Sequence, residues 1–88
     1  MDKRKIEYKA SVEGDLRKLG ASAAQRVLKK IERSLSSEGR TGQPLSGDFS
    51  GLYRLRVGDY RVIYARTDEG YLVLRIGHRR EVYRKGKP

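Results

Sequence analysis

The sequence predicts an α+β domain: an N-terminal strand, a two-helix hairpin, then an antiparallel β-meander with the helices packed on one sheet face. Three observations carry this. Apolar residues recur at helical spacing from Val12 to Leu35, the period changes to two at Leu52, and Gly58-Asp59 separates two alternating segments as a two-residue hairpin loop does. At 88 residues the chain is read as one domain, 1–88. A chain this short buries only about 60% of its unfolded surface, so its core has to be economical.

Each element follows from its own residues. Ile6, Tyr8 and Ala10 alternate with polar residues and predict a first strand with one face inward. Ser11 stands where a helix N-cap would, Val12, Leu16 and Leu19 share a face, and Gly20 follows where a C-terminal glycine ends a helix. Ser22 is placed to cap a second helix with Ala24, Val27, Leu28, Ile31 and Leu35 as its dry stripe. The segment GRTGQPLSGDFSG, 39–51, is turn chemistry throughout and predicts a loop. It lacks the lysine of a P-loop, so ordinary turn geometry explains its glycines. Then come LYRLRV, the Gly58-Asp59 turn, YRVIYA, a turn at Asp68-Glu69-Gly70, and YLVLRIG.

Composition removes several function classes. The chain has no cysteine and a single histidine, His78, which excludes a disulfide framework and the usual zinc spacings; no metal or cofactor is expected. No run of 18 apolar residues occurs, and MDKRKIEYK has no apolar stretch behind it, so a soluble cytoplasmic protein without membrane contact is expected. Lys and Arg number 21 against 11 Asp and Glu, a net charge of +10 that points to an anionic partner. Residues 53–88 carry ten basic groups, eight of them arginine, the side chain whose permanently charged fork suits phosphate.

With Gly58 and Asp59 as the loop, Val57 pairs with Tyr60, Arg56 with Arg61, Leu55 with Val62 and Arg54 with Ile63. Tyr53, Leu55, Val57, Tyr60, Val62 and Tyr64 then face the helices, and Arg54, Arg56 and Arg61 face away. A three-residue second turn adds Leu72, Leu74 and Ile76 to the apolar face and Arg75 to the basic one; an extended continuation adds Arg79. Arg56 opposite Arg61 is destabilising unless something neutralises the pair. A phosphate would do so, with Gly77 beside Arg61 leaving room for a backbone to approach; arginines splayed into water are the simpler alternative. Histidine, with an unperturbed pKa of about 6.5, suits a general base, so His78 is a candidate, but a lone histidine at a strand end is more often a surface or core residue. Tyr83 is suited to base stacking or proton donation, though such tyrosines more often pack. Asp59, Asp68 and Glu69 lie in turns and Glu81 is isolated, so no acid–base carboxylate pair is expected.

The run GLYRLRVGDYRVIY, 51–64, followed by RIGHRREVYR, 75–84, resembles the RelE/ParE toxin superfamily. The QPLSGD loop, 43–48, and the strand–helix–helix order before it extend the resemblance over essentially the whole chain. It implies a RelE-like, microbial-RNase-like fold, an antiparallel sheet with two helices on one face, and a toxin–antitoxin operon. A cognate antitoxin would wrap and silence the toxin, with operator DNA reached through their complex. The RelE branch is similar in its cationic sheet face and C-terminal tyrosine; these mRNA interferases cut ribosome-bound mRNA in the A site. The ParE branch, associated with DNA gyrase, generally lacks that set, and a non-enzymatic basic RNA-binding module is the remaining alternative. Carried over by resemblance, the catalytic positions are Arg61, Arg79 and Tyr83, with His78 in reserve, and the phosphate or ribosome contacts are Arg54, Arg56, Arg75 and Arg80. Arg80 replaces Arg79 if the alignment slips by one. Arg54 and Arg56 depart from the family, which often has lysine there, and arginine cannot act as a base.

Overall fold

The computed structural model describes residues 5–35, 43–45 and 51–78. In chain order these form β1 (Lys5–Tyr8), α1 (Val12–Leu19), α2 (Ala21–Leu35), β2 (Gln43–Pro44), β3 (Leu52–Val57), β4 (Tyr60–Arg66) and β5 (Gly70–His78). The sheet order is β1-β5-β4-β3-β2. β3, β4 and β5 run antiparallel, as the alternating pattern predicts; β2 joins β3 antiparallel and β1 joins β5 in parallel. Among the described residues no helix is long and apolar enough to cross a membrane.

The helices differ from expectation at their starts. Ser11 occupies the N-cap position of α1, but its side chain makes no capping hydrogen bond. The first N–H groups are already satisfied, because Val12 donates to the Lys9 carbonyl at 2.9 Å and Glu13 to the Ala10 carbonyl at 3.3 Å. Gly20, at φ +90°, ends α1 as expected, its N–H donating to the Arg17 carbonyl. Its own carbonyl accepts the Ala24 N–H at 2.9 Å, so α2 begins at once at Ala21 and Ser22 lies inside the first turn instead of capping it.

One core lies between the helices and the sheet. Val12, Val27, Ile31 and Leu35 meet Leu55, Val62, Tyr64, Tyr71, Val73 and Ile76, with Tyr53, Val57 and Tyr60 packed at its margin. Removing this apolar surface from water is the main stabilising term, at about 25 cal/mol per Å². The β3–β4 register is the one the sequence predicts, from Val57 opposite Tyr60 to Arg54 opposite Ile63. Gly58, at φ +60°, supplies the backbone that a two-residue loop of type II′ needs at its first position.

Two expectations are corrected in the sheet. The segment read wholly as loop contains β2, whose Gln43 and Pro44 pair with Arg54 and Tyr53. β2 is an edge strand, where a proline without an N–H is tolerated. The second correction is a β-bulge. Arg61, Val62 and Ile63 pair with Gly77, Ile76 and Arg75 as predicted, but Tyr64, Ala65 and Arg66 pair with Val73, Leu72 and Tyr71, leaving Leu74 as the extra residue. The turn is two residues long, with Thr67 and Gly70 bonded across it, and the bulge absorbs the one-residue difference. A shift of one residue exchanges faces. The core face of β5 is therefore Tyr71, Val73 and Ile76, all buried, while Leu72 and Leu74, expected there, are only half-buried.

Candidate nucleic-acid interface

On the sheet face away from the helices, two cross-strand rows carry the arginines. One is Arg56–Arg61–Gly77; the next is Gln43–Arg54–Ile63–Arg75. Neither row contains an acidic side chain. Like charges directly opposite each other destabilise a strand pair, a cost that an anion lying across β3 and β4 would offset. Gly77, paired with Arg61, adds no side chain of its own to that row.

Arg61 is more enclosed than a solvated face implies. It is only 8% exposed, and its Nη1 donates to the carbonyls of Tyr60 at 3.3 Å and Gly58 at 3.5 Å. The hairpin turn curls its carbonyls back onto the guanidinium and fixes its direction. Arg56, across the strand, is exposed.

Arg54 is also oriented, its Nη2 donating to Gln43 Oε1 at 2.6 Å. Its Nε is buried and has no hydrogen-bond partner among the described residues, a state that is costly unless a further acceptor arrives. Ile63, between Arg54 and Arg75, is fully buried although it faces away from the helices. The long stems of its two neighbours thus have apolar surface to lie on while their charged heads reach outward.

Of the predicted site residues, the structure brings Arg54, Arg56, Arg61 and Arg75 onto one face. It places His78 at the end of β5, on the side of Tyr60. His78 pairs with Tyr60, which packs against the core, and the two rings meet edge-on at 6.2 Å. His78 lines a cavity of about 240 Å³ with Asp15, Lys18, Tyr60, Gly77 and Arg75, so it shares a concave surface with one of the four arginines. Arg79, Arg80 and Tyr83 lie outside the described residues.

Sequence reasoning missed two contributors. Gln43 had no signal, because its role depends on β2 lying beside Arg54. Asp15 accepts the Ile76 N–H on its Oδ2 at 3.0 Å and so holds β5 beyond the point where β1 stops pairing with it. That contact joins residues 61 apart in the chain and leaves no local trace.

Comparison with known proteins agrees with this architecture. The family model described as "ParE toxin of type II toxin-antitoxin system" matches residues 6–83. The chain is 31% identical over 83 residues to Toxin RelG of Mycobacterium tuberculosis, covering 91% of this chain and 95% of that one. The toxin–antitoxin complex RelBE2 from Mycobacterium tuberculosis contains a chain that superposes with a TM-score of 0.79 at 30% identity, covering 89% of this chain and 93% of that one. The isolated Escherichia coli RelE toxin superposes with a TM-score of 0.68 at 25% identity, with 93% of each chain covered. With its strand–helix–helix–meander order and a match over most of its length, the chain belongs to the RelE/ParE toxin family of type II toxin–antitoxin systems.

Proposed function

We propose that this toxin is a ribosome-dependent endoribonuclease, cutting mRNA in the ribosomal A site by attack of a ribose 2′-OH on its adjacent phosphate. A cognate antitoxin holds it silent, as the complex formed by its Mycobacterium relative suggests. The observation that carries the reading is the pair of arginine rows without an acidic side chain, with Arg61 held by two backbone carbonyls and glycine paired opposite it at 77.

Cleavage of this kind needs a proton acceptor, stabilisation of charge on the phosphorane-like transition state, a leaving-group donor and in-line geometry. Arg61 and Arg79 stabilise the developing charge. Arg54, Arg56, Arg75 and Arg80 hold the flanking phosphates, and Tyr83 stacks on the base or moves a proton. His78, which lines a cavity with Arg75, is the reserve proton acceptor of this set. With so few acid–base groups in the toxin, the ribosome supplies much of the RNA geometry.

The test is a translation reaction with purified ribosomes and a defined mRNA, with cut positions read by primer extension. Wild type should cut at the A-site codon, and Arg61→Ala should lose at least about a hundredfold in rate, the usual scale for removing a transition-state charge contact. Arg56→Ala, at an exposed position, guards against loss through misfolding and should weaken cutting by raising KM. The family model's ParE description favours a second reading, a poison of DNA gyrase. Intact mRNA with folded wild-type toxin would reject the nuclease, and a gyrase cleavage assay would then decide for the other branch.

A further inference from the structure

The outer edge of β5 is covered unevenly. β1 pairs with it from Gly70 to Val73, and the Lys9 N–H then donates to the Val73 carbonyl at 2.9 Å. Beyond Val73 no strand among the described residues follows that edge. Asp15 of α1 meets it there, its Oδ2 accepting the Ile76 N–H at 3.0 Å. The position is unusual for a carboxylate. Val12, Asp15, Leu16 and Leu19 recur at i, i+3, i+4 and i+7, so Asp15 interrupts the stripe of α1 that packs on the core, and it is itself half-buried. A charged group in such a place is costly unless it is hydrogen-bonded, and the Ile76 amide supplies the bond. Glu13, the other acid in the first turn of α1, is exposed and pairs with Arg17. An acid that served only the helix N-terminus would not need to face β5.

We propose that Asp15 is a positioning residue for the phosphate site: its carboxylate pins the Ile76 N–H and so holds Arg75 and Gly77, on either side of that residue, in place against β4. The inference rests on the nuclease reading and adds to it a residue that touches no substrate. Ile76 is the point where such a pin has most effect. Its side chain is in the core, its neighbour Arg75 stands in the row of Arg54, and its other neighbour Gly77 is paired with Arg61. The bulge at Leu74 comes just before it, so the ladder to β4 is irregular close to where β1 has also ended. The Asp15 bond therefore restrains the segment between the bulge and the end of the strand. Asp15 also lines the cavity of about 240 Å³ that Arg75 and His78 share. Water entering that cavity can satisfy the Ile76 N–H once the carboxylate is removed, so the fold survives the loss while the restraint on β5 does not.

The experiment runs the ribosomal cutting reaction from limiting to saturating ribosome concentration for wild type, Asp15→Ala, Asp15→Asn and Glu13→Ala, and measures amide hydrogen exchange of each toxin. Asp15→Ala should lose on the order of tenfold in kcat with KM within about twofold, the pattern of misplaced groups and not of lost binding. Exchange at Ile76 should quicken by at least about tenfold, while the Val62 and Ile31 amides keep their protection. Asp15→Asn keeps an acceptor oxygen at the same place and should recover most of kcat, and Glu13→Ala should match wild type. Asp15→Ala cutting at the wild-type rate, with Ile76 exchange quickened, would make the bond structural only, overturning the proposal and leaving the nuclease standing. A loss confined to KM, an equal loss in Glu13→Ala, or lost protection at Val62 and Ile31 would also overturn it, by assigning the effect to binding, to the helix terminus or to general stability. A wild type that cuts no mRNA rejects the nuclease reading and the positioning role with it, an outcome told apart from the others because it needs no variant.

Discussion

Arg61 is held in the centre of the sheet by opposing influences. Its guanidinium donates to two turn carbonyls, and it faces Arg56 across β3. Each bond contributes about 1 kcal/mol net, and opposed like charges on a strand pair cost up to about as much. Arg61→Ala should therefore change stability by no more than about 1 kcal/mol in urea unfolding. A loss above about 2 kcal/mol would mark a structural residue and weaken its assignment to the phosphate. Tyr64 behaves differently. Burial, aided by Tyr71 and Tyr53 and opposed by Arg66, pushes its phenol above the usual 10.0. The folded state thus keeps a proton that the unfolded state gives up above pH 10, so this contribution is complete below pH 10 and is lost as pH rises through the folded value. Tyr64→Phe should flatten the fall in stability measured between pH 9 and 11; an unchanged slope would place the alkaline sensitivity elsewhere.

At the scale of elements, the bulge in β5 decides which side chains stabilise the fold. Ile76 is 2% exposed and inside the core, whereas Leu74, the bulged residue, is half-buried. Ile76→Ala should cost about 2 to 5 kcal/mol, the range for deleting a buried aliphatic side chain, and Leu74→Ala clearly less. Equal losses in parallel denaturant titrations would contradict the bulged register. At its other end β5 meets β1, and a Cβ on Gly70 would collide with the backbone of Lys5. That glycine is needed for the close parallel approach. β1 covers β5 only from Gly70 to Val73, and Asp15 from α1 takes over by accepting the Ile76 N–H. The strand carrying Arg75 is therefore anchored by a helix as well as by its neighbours.

Across the whole molecule, charge and core are divided between the two sides of one sheet. The helices cover one side, and the arginines gather on the other. On the proposed function this surface positions phosphate, and it offers few groups able to accept a proton. Free mRNA should accordingly be cut far more slowly than ribosome-bound mRNA, by about a thousandfold or more if the ribosome supplies orientation. Comparable rates on the two substrates would remove ribosome dependence from the mechanism.

Much of this was determined by the sequence alone. The change of period at Leu52, the Gly58-Asp59 turn and the stripe on α2 are local patterns, and they specify the element order, the β3–β4 register and the gathering of Arg54, Arg56 and Arg61 on one face. The half of β5 nearest His78 follows too, with Gly77 beside Arg61 and Arg75 on the same face. Tertiary structure decided what depends on residues distant in the chain. The bulge at Leu74 reconciles a two-residue turn with the register at Arg61, and only packing against β1 and the helices chooses where the extra residue goes. β2 exists because β3 presents an edge to Gln43, and the parallel joining of β1 needs Gly70 against Lys5. Local patterns set which face a side chain takes along its own element, because that follows from backbone geometry. Which faces meet is decided by the packing of distant segments, a choice no single stretch of sequence contains.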